Sequence, residues 1–140
     1  MTARRDSRKD RGMTSKRVNW LAVGAGTIRL ASGVSFLVAP EAANRLWGDT
    51  DDSGPTASLL LRSMGYRDAL IGALLLHSGL RRTERAAGWF LASAGADAAD
   101  LLGGVANHGR MSGQQQIRGL GGAALGIGVG LAGAMRARAR

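Results

Sequence analysis

Four apolar segments of about 20 residues are the feature that most constrains the fold of this chain, because a helix of that length crosses the hydrocarbon core of a bilayer. Proline marks two of their ends, since the first segment stops before Pro40 and the second starts just after Pro55. The sequence therefore predicts an all-α fold, a four-helix bundle that is integral to a membrane. The predicted spans cover residues 18–38, 56–80, 86–106 and 117–135.

The connections between these segments alternate in charge. The charged residues of 41–54 are four acids and one arginine, and residues 107–116 contain one arginine and one histidine. Residues 81–85 and both tails are basic. Cytoplasmic loops of membrane proteins carry an excess of Lys and Arg. The pattern predicts a multi-pass protein of the cytoplasmic (inner) membrane, with the N-terminus, the C-terminus and the second loop in the cytoplasm.

The net charge of +9 would by itself suggest a nucleic-acid partner. Most of the basic residues, however, lie in the tails and the second loop, and no aromatic or Gly-rich RNA motif accompanies them. We therefore expect residues 1–17 to be a disordered basic tail that contacts anionic lipids, residues 136–140 to be a second basic tail, and no nucleic acid to bind. The clustered basic residues are Arg4, Arg5, Arg8, Lys9, Arg11, Lys16, Arg17, Arg81, Arg82, Arg85, Arg136, Arg138 and Arg140.

Two other interpretations of the apolar segments conflict with features of the sequence. A basic start followed by an apolar stretch is typical of a cleaved signal peptide, but Arg29 lies inside that stretch, which is also too long. A soluble bundle is the other alternative. With 22 glycines and 4% aromatic residues, its core would pack poorly in water.

Six ionisable residues lie inside the predicted spans. Each charge left unpaired at the centre of a lone inserted helix would cost roughly 2.5–3.5 kcal/mol, so we expect these residues to form a charge-balanced polar network. Depth in the bilayer suggests that Arg29 and Arg67 pair with Asp97, whereas Arg62 pairs with Asp100. The predicted network consists of Arg29, Arg62, Arg67, Asp68, Asp97 and Asp100.

Asp97 and Asp100 lie three residues apart and share a helix face, which leaves three interpretations open. A polar packing network is favoured, a proton or ligand pathway comes second, and catalysis or metal binding comes third. Membrane phosphotransferases need more carboxylates than these, in a longer signature that is absent. The chain also has no cysteine and only two histidines. We therefore expect no catalytic residue, no metal site and no cofactor.

The fourth segment has glycines at four-residue spacing, Gly122, Gly126 and Gly130. Such small-residue repeats form a groove against which another helix packs. The helix that packs against this groove would belong either to the bundle itself or to a partner protein.

Three stretches carry a family resemblance: RLASGVSFLVAP (29–40), SMGYRDALIGALLL (63–76) and ADAADLLGG (96–104). They resemble small four-span actinobacterial membrane proteins. In size and build the chain is also similar to the accessory membrane subunit of mycobacterial mammalian-cell-entry (Mce) lipid importers. The first resemblance carries no established activity, so it implies no catalytic residues.

The leading functional expectation is a non-enzymatic accessory or assembly subunit of a larger cytoplasmic-membrane complex, with a lipid importer permease as its partner. It depends on the lack of a catalytic signature, the small mass outside the spans and the glycine-rich fourth segment. The first alternative is a small proton-coupled transporter or ligand-binding membrane bundle. The second is an integral-membrane, lipid-modifying enzyme.

Overall fold

A computed structural model describes residues 18–46, 54–81 and 85–139. All regular elements of these residues are helical, which confirms the predicted all-α class. The basic tail 1–17 and most of the acidic stretch of the first loop lie outside the described residues. The helices are α1 (Trp20–Val38), α2 (Pro40–Leu46), α3 (Pro55–Arg81), α4 (Ala86–Ala106), α5 (Gly113–Gln115) and α6 (Gly121–Arg138).

The ends of the first helices follow from local chemistry. The Asn19 side chain accepts a hydrogen bond from the backbone N–H of Ala22 and caps the start of α1. Pro40 and Pro55 each occupy the first position of a helix, where the missing N–H has no intrahelical partner to lose. Proline therefore separates α1 from the short α2 and starts the long α3.

The last helical run begins at Gly113, four residues before the predicted span. Ser112 and Gln115 form a capping box at its start, in which each side chain bonds the backbone N–H of the other residue. A π-helical turn over Gln116–Leu120 then joins α5 to α6. The capping box explains why the run starts outside the apolar segment, because a polar cap needs no apolar sequence.

Two helical runs of the described chain are long and apolar enough to cross a membrane, Trp20–Val38 and Gly113–Arg138. The other two long helices, α3 and α4, carry five of the six residues of the predicted network. These charges lower the mean hydropathy of both helices. Four long helices thus lie where the sequence predicts spans, and two helical runs are candidate membrane spans by length and hydropathy.

The helices pack as two antiparallel pairs. Helix α1 lies against α3 along a line of glycines, where a methyl group at Gly72 would come within 2.8 Å of the Gly26 carbonyl oxygen. Helix α4 lies against α6, where a methyl group at Gly130 would come within 2.8 Å of the Ala94 Cβ atom. The two pairs meet mainly where α3 approaches α4. Backbones this close require residues without a side chain at the crossing.

The interior of this arrangement is small. Phe90 and Leu75 are the largest fully buried side chains of the described residues, and small residues make up most of the remaining core. Many large apolar side chains lie on the outside, among them Val38, Leu102 and Ile117, each at least 70% exposed. The helices are thus held together by close backbone contact rather than by a large apolar core.

Candidate functional site

Arg29 joins three of the long helices. Its Nη1 atom lies 2.8 and 2.9 Å from the two carboxylate oxygens of Asp97 and 2.9 Å from the hydroxyl oxygen of Ser93, both on α4. Its Nη2 atom lies 3.0 Å from Oδ1 of Asp68 on α3. The side chains of Arg29 and Asp97 are each 12% exposed. A guanidinium has five N–H donors in a fixed plane, which suits it to bridge several acceptors.

Arg67 forms the second half of this network. Its Nη1 and Nη2 atoms bond the two carboxylate oxygens of Asp100 at 3.0 and 2.6 Å, in a bidentate pair between α3 and α4. Its Nε atom lies 3.2 Å from the same Asp68 oxygen that Arg29 holds. Asp68 thus links the two guanidiniums. The ionic network consists of Arg29, Arg67, Asp68, Asp97 and Asp100.

The structure does not contain the predicted Arg62–Asp100 pair. The Nη1 atom of Arg62 instead donates to the Leu37 carbonyl oxygen at the end of α1, at 3.1 Å, and its side chain is exposed. Arg62 and Arg67 are five residues apart, which is about 140° around a helix, so they lie on different faces of α3. Depth alone suggested the pair, but helix orientation assigns Asp100 to Arg67.

One further detail of the predicted pairing is wrong. Arg67 bonds Asp68 and Asp100, whereas Asp97 is held by Arg29. The adjacent Arg67 and Asp68 contact each other and also reach different helices, since Arg67 donates to Asp100 on α4 and Asp68 accepts from Arg29 on α1. Ser93 was not among the predicted site residues, although its hydroxyl group accepts a bond from Arg29.

A cleft of about 820 Å³ opens between the two helix pairs. It lies toward the end of the bundle that holds α2 and residue Met111, and four of the five network residues form part of its wall. The rest of the wall is largely apolar. Drug-sized ligands occupy cavities of this size, with a few polar groups among apolar ones. Its main wall residues are Arg29, Phe36, Leu61, Met64, Asp68, Ser93, Asp97, Asp100, Leu120, Leu125 and Val129.

The three predicted packing glycines have different surroundings. Gly126 faces the Asp97 carboxylate, and Gly130 faces the backbone of α4 at Phe90 and the Cβ atom of Ala94. Gly122 is exposed and lies on the wall of the cleft. Two of the glycines therefore bring α4 and α6 together, and the third leaves space in the cleft.

Sequence reasoning missed the glycines that join α1 to α3. Gly26 and Gly33 on α1 meet Gly65 and Gly72 on α3, with no room for a side chain at any of the four positions. Their signal was present in the sequence, because the glycines of each helix are seven residues apart and so lie on one face.

The site combines paired charges with apolar surface. Among the described residues, no group of three His, Cys, Asp or Glu side chains is arranged to hold a metal ion. Each of the three carboxylates accepts a hydrogen bond from at least one guanidinium. The two guanidiniums together contact five of the six carboxylate oxygens.

Comparison with known proteins gives one match. The model of a family described as a domain of unknown function (DUF4267) matches residues 26–134, which include the whole ionic network and all residues of the cleft wall except Ala25. Neither a curated protein nor a solved structure matches the chain.

Proposed function

The chain belongs to the DUF4267 family, and on that premise we propose that it is a multi-pass protein of the cytoplasmic membrane that binds an apolar or amphipathic ligand in its cleft. The cleft, with its mixed apolar and ionic wall, is the observation that carries the proposal. The role is binding rather than catalysis, since the carboxylates of the site are engaged by guanidiniums.

The distribution of apolar surface supports a membrane location. Val38, Leu102, Ile117 and Met135, all outside the cleft wall, are between 67 and 77% exposed. In water, a large exposed apolar surface marks an interaction site. In a bilayer it needs no partner, and helices then associate through small residues and polar contacts, as they do here.

The four long helices would then each cross the bilayer. The carboxylates of α3 and α4 do not prevent this, because each is paired with Arg29 of α1 or Arg67 of α3. Arg62 donates to a backbone carbonyl oxygen. With basic termini and a basic second loop, the positive-inside bias places both termini in the cytoplasm. The cleft would lie in the outer half of the bilayer, at the end opposite the second loop.

Cysteine labelling tests this topology directly, because the chain has no cysteine of its own. Ser112→Cys lies before the last helical run and Ala139→Cys lies at its end. In intact cells, a membrane-impermeant maleimide should label Ser112→Cys only. Ala139→Cys should become reactive after the membrane is permeabilised. Labelling of both positions in intact cells, or of neither, would contradict the four-span topology.

A matched pair of glycine substitutions on α4 tests the binding cleft. A Cβ atom added at Gly103 or at Gly95 meets no atom within 4 Å, so both positions have room for the start of a side chain. Gly103 lines the cleft, whereas Gly95 lies outside its wall. Gly103→Leu should therefore fill part of the cleft, and Gly95→Leu is its control.

The readout is the set of small molecules that copurify with each variant in a mild maltoside detergent, quantified by mass spectrometry. The wild type and Gly95→Leu should retain the same apolar molecule, and Gly103→Leu should lose most of it. Equal retention by all three proteins would exclude the cleft as the binding site.

The second candidate function is that of an accessory subunit in a larger membrane complex, such as a lipid importer. One observation favours it: Gly121 and Gly128 on α6 have open space around them, whereas Gly126 and Gly130 are packed against α4. Glycines on an open helix face allow a further helix to approach closely. Gly128→Leu should then release a copurifying partner while leaving cleft binding intact. An unchanged complex would contradict this candidate.

A further inference from the structure

We propose that the ligand of the cleft is an amphipathic cation, an apolar body that carries one positive centre. The inference rests on the proposed function and specifies the chemical class that the cleft would take.

The charges on the wall of the cleft are unequal. Asp68, Asp97 and Asp100 line it together with one arginine, Arg29. Arg67 contacts two of these acids from outside the cleft wall. The complete network therefore has three carboxylates and two guanidiniums, which leaves one negative charge in excess.

No other arginine of the described residues lines the cleft. Arg62 and Arg118 each donate to a backbone carbonyl oxygen, of Leu37 and Leu46, and neither lines the cleft. An uncompensated charge in a low-dielectric interior is costly, so the site favours an added positive charge.

Asp68 is the carboxylate that the guanidiniums engage least completely. Both oxygens of Asp97 face Arg29, and both oxygens of Asp100 face Arg67. Asp68 uses only Oδ1 for its two guanidinium contacts, and no hydrogen bond from the described residues reaches its Oδ2. A positive group in the cleft would thus meet an open carboxylate oxygen.

The remainder of the cleft suits an apolar body. Phe36, Met64, Leu125 and Val129 line it, and its volume of about 820 Å³ is large for a metal ion or a small hydrophilic amine. An aromatic ring face and a thioether also interact favourably with cations and with apolar groups. Charge complementarity and apolar volume together identify the occupant as an amphipathic cation.

Tetraphenylphosphonium and tetraphenylborate provide a direct test, because the two ions have nearly the same shape and opposite charge. Binding of each ion to the full chain in maltoside micelles is measured by equilibrium dialysis, with protein-free micelles as the blank. We expect saturable binding of the cation and no saturable binding of the anion.

Three variants localise the effect of charge. Asp68→Asn keeps an Oδ1 acceptor for the two guanidiniums but removes the excess charge, so the affinity for the cation should fall about tenfold or more. Asp68→Glu should retain most of the affinity for the cation. Glu41→Gln, an exposed acid on α2 outside the cleft wall, has the same change in net charge and should leave the affinity unchanged. Each variant is first checked for an unchanged elution volume and melting temperature.

The outcomes separate this inference from the proposed function. Equal binding of the two ions, or an affinity for the cation that Asp68→Asn leaves unchanged, overturns the cation inference. If Gly103→Leu still abolishes that binding, the cleft remains the binding site for an apolar ligand. Absence of saturable cation binding to the folded wild type also overturns the inference. Binding that survives Gly103→Leu counts against the cleft itself.

Discussion

Replacement of Arg29 by methionine should be one of the most destabilising changes in this protein. The guanidinium donates hydrogen bonds to Asp68, Ser93 and Asp97, and methionine fills a similar volume without any donor. Removing one partner of a buried ion pair costs about 3–5 kcal/mol, because the other charge stays buried without compensation. We expect the free energy of unfolding to fall by that amount.

Arg62 offers a matched control for this prediction. It is also an arginine within an apolar segment, and the sequence alone placed it in the same network. Its side chain is exposed and makes one described hydrogen bond, to a backbone carbonyl oxygen. Arg62→Met should therefore cost less than about 1 kcal/mol.

The measurement is unfolding in mixed micelles titrated with dodecyl sulfate, followed by the fluorescence of Trp20 and Trp89 on α1 and α4. In an Arg29→Met background, Asp97→Asn should recover part of the loss, which gives a coupling free energy of about 2 kcal/mol or more. Equal losses for Arg29→Met and Arg62→Met, or strictly additive effects of Arg29→Met and Asp97→Asn, would refute the role of Arg29 as the bridge between the two helix pairs.

Three further predictions concern two packing sites and one hydrogen bond between helices. Gly72→Ala should lower the free energy of unfolding by about 1–3 kcal/mol, because its methyl group meets the backbone of α1. Gly24→Ala, with open space around it, should raise the free energy of unfolding by up to about 1 kcal/mol. A change of the same sign for Gly72→Ala and Gly24→Ala would contradict the close α1–α3 contact. Phe90→Ala should cost about 3–5 kcal/mol in the same titration, since its side chain is 1% exposed, and a cost below 1 kcal/mol would place Phe90 outside the core. Arg118→Ala removes a 2.8 Å hydrogen bond to the Leu46 carbonyl oxygen and should speed amide exchange in α2 without a large change in stability; unchanged exchange would contradict the contact.

The local elements of the fold could be predicted well from the sequence. Apolar segments of bilayer length, with proline at Pro40 and Pro55, give helices in the expected places because helix formation depends on neighbouring residues. The start of the last helical run was missed, because the capping box of Ser112 and Gln115 lies outside the apolar segment.

The candidate site was predicted in part. Carboxylates and arginines at similar depth must compensate one another, and the structure brings five of the six predicted residues together. Depth in the bilayer, the criterion available from the sequence, does not exclude Arg62 from the ionic network. Its position around α3 excludes it, once the neighbouring helices are known.

The sequence by itself determined that this chain forms apolar helices with charges inside them, because length, hydropathy and the cost of an unpaired charge are properties of single segments. Only the tertiary structure decided which arginine meets which aspartate, since that depends on how each helix is rotated toward its neighbours. It also decided where backbones touch and where space remains. The glycine contacts of α1 with α3 and of α4 with α6 close two helix pairs tightly. The cleft exists because the two pairs contact each other over a much smaller area.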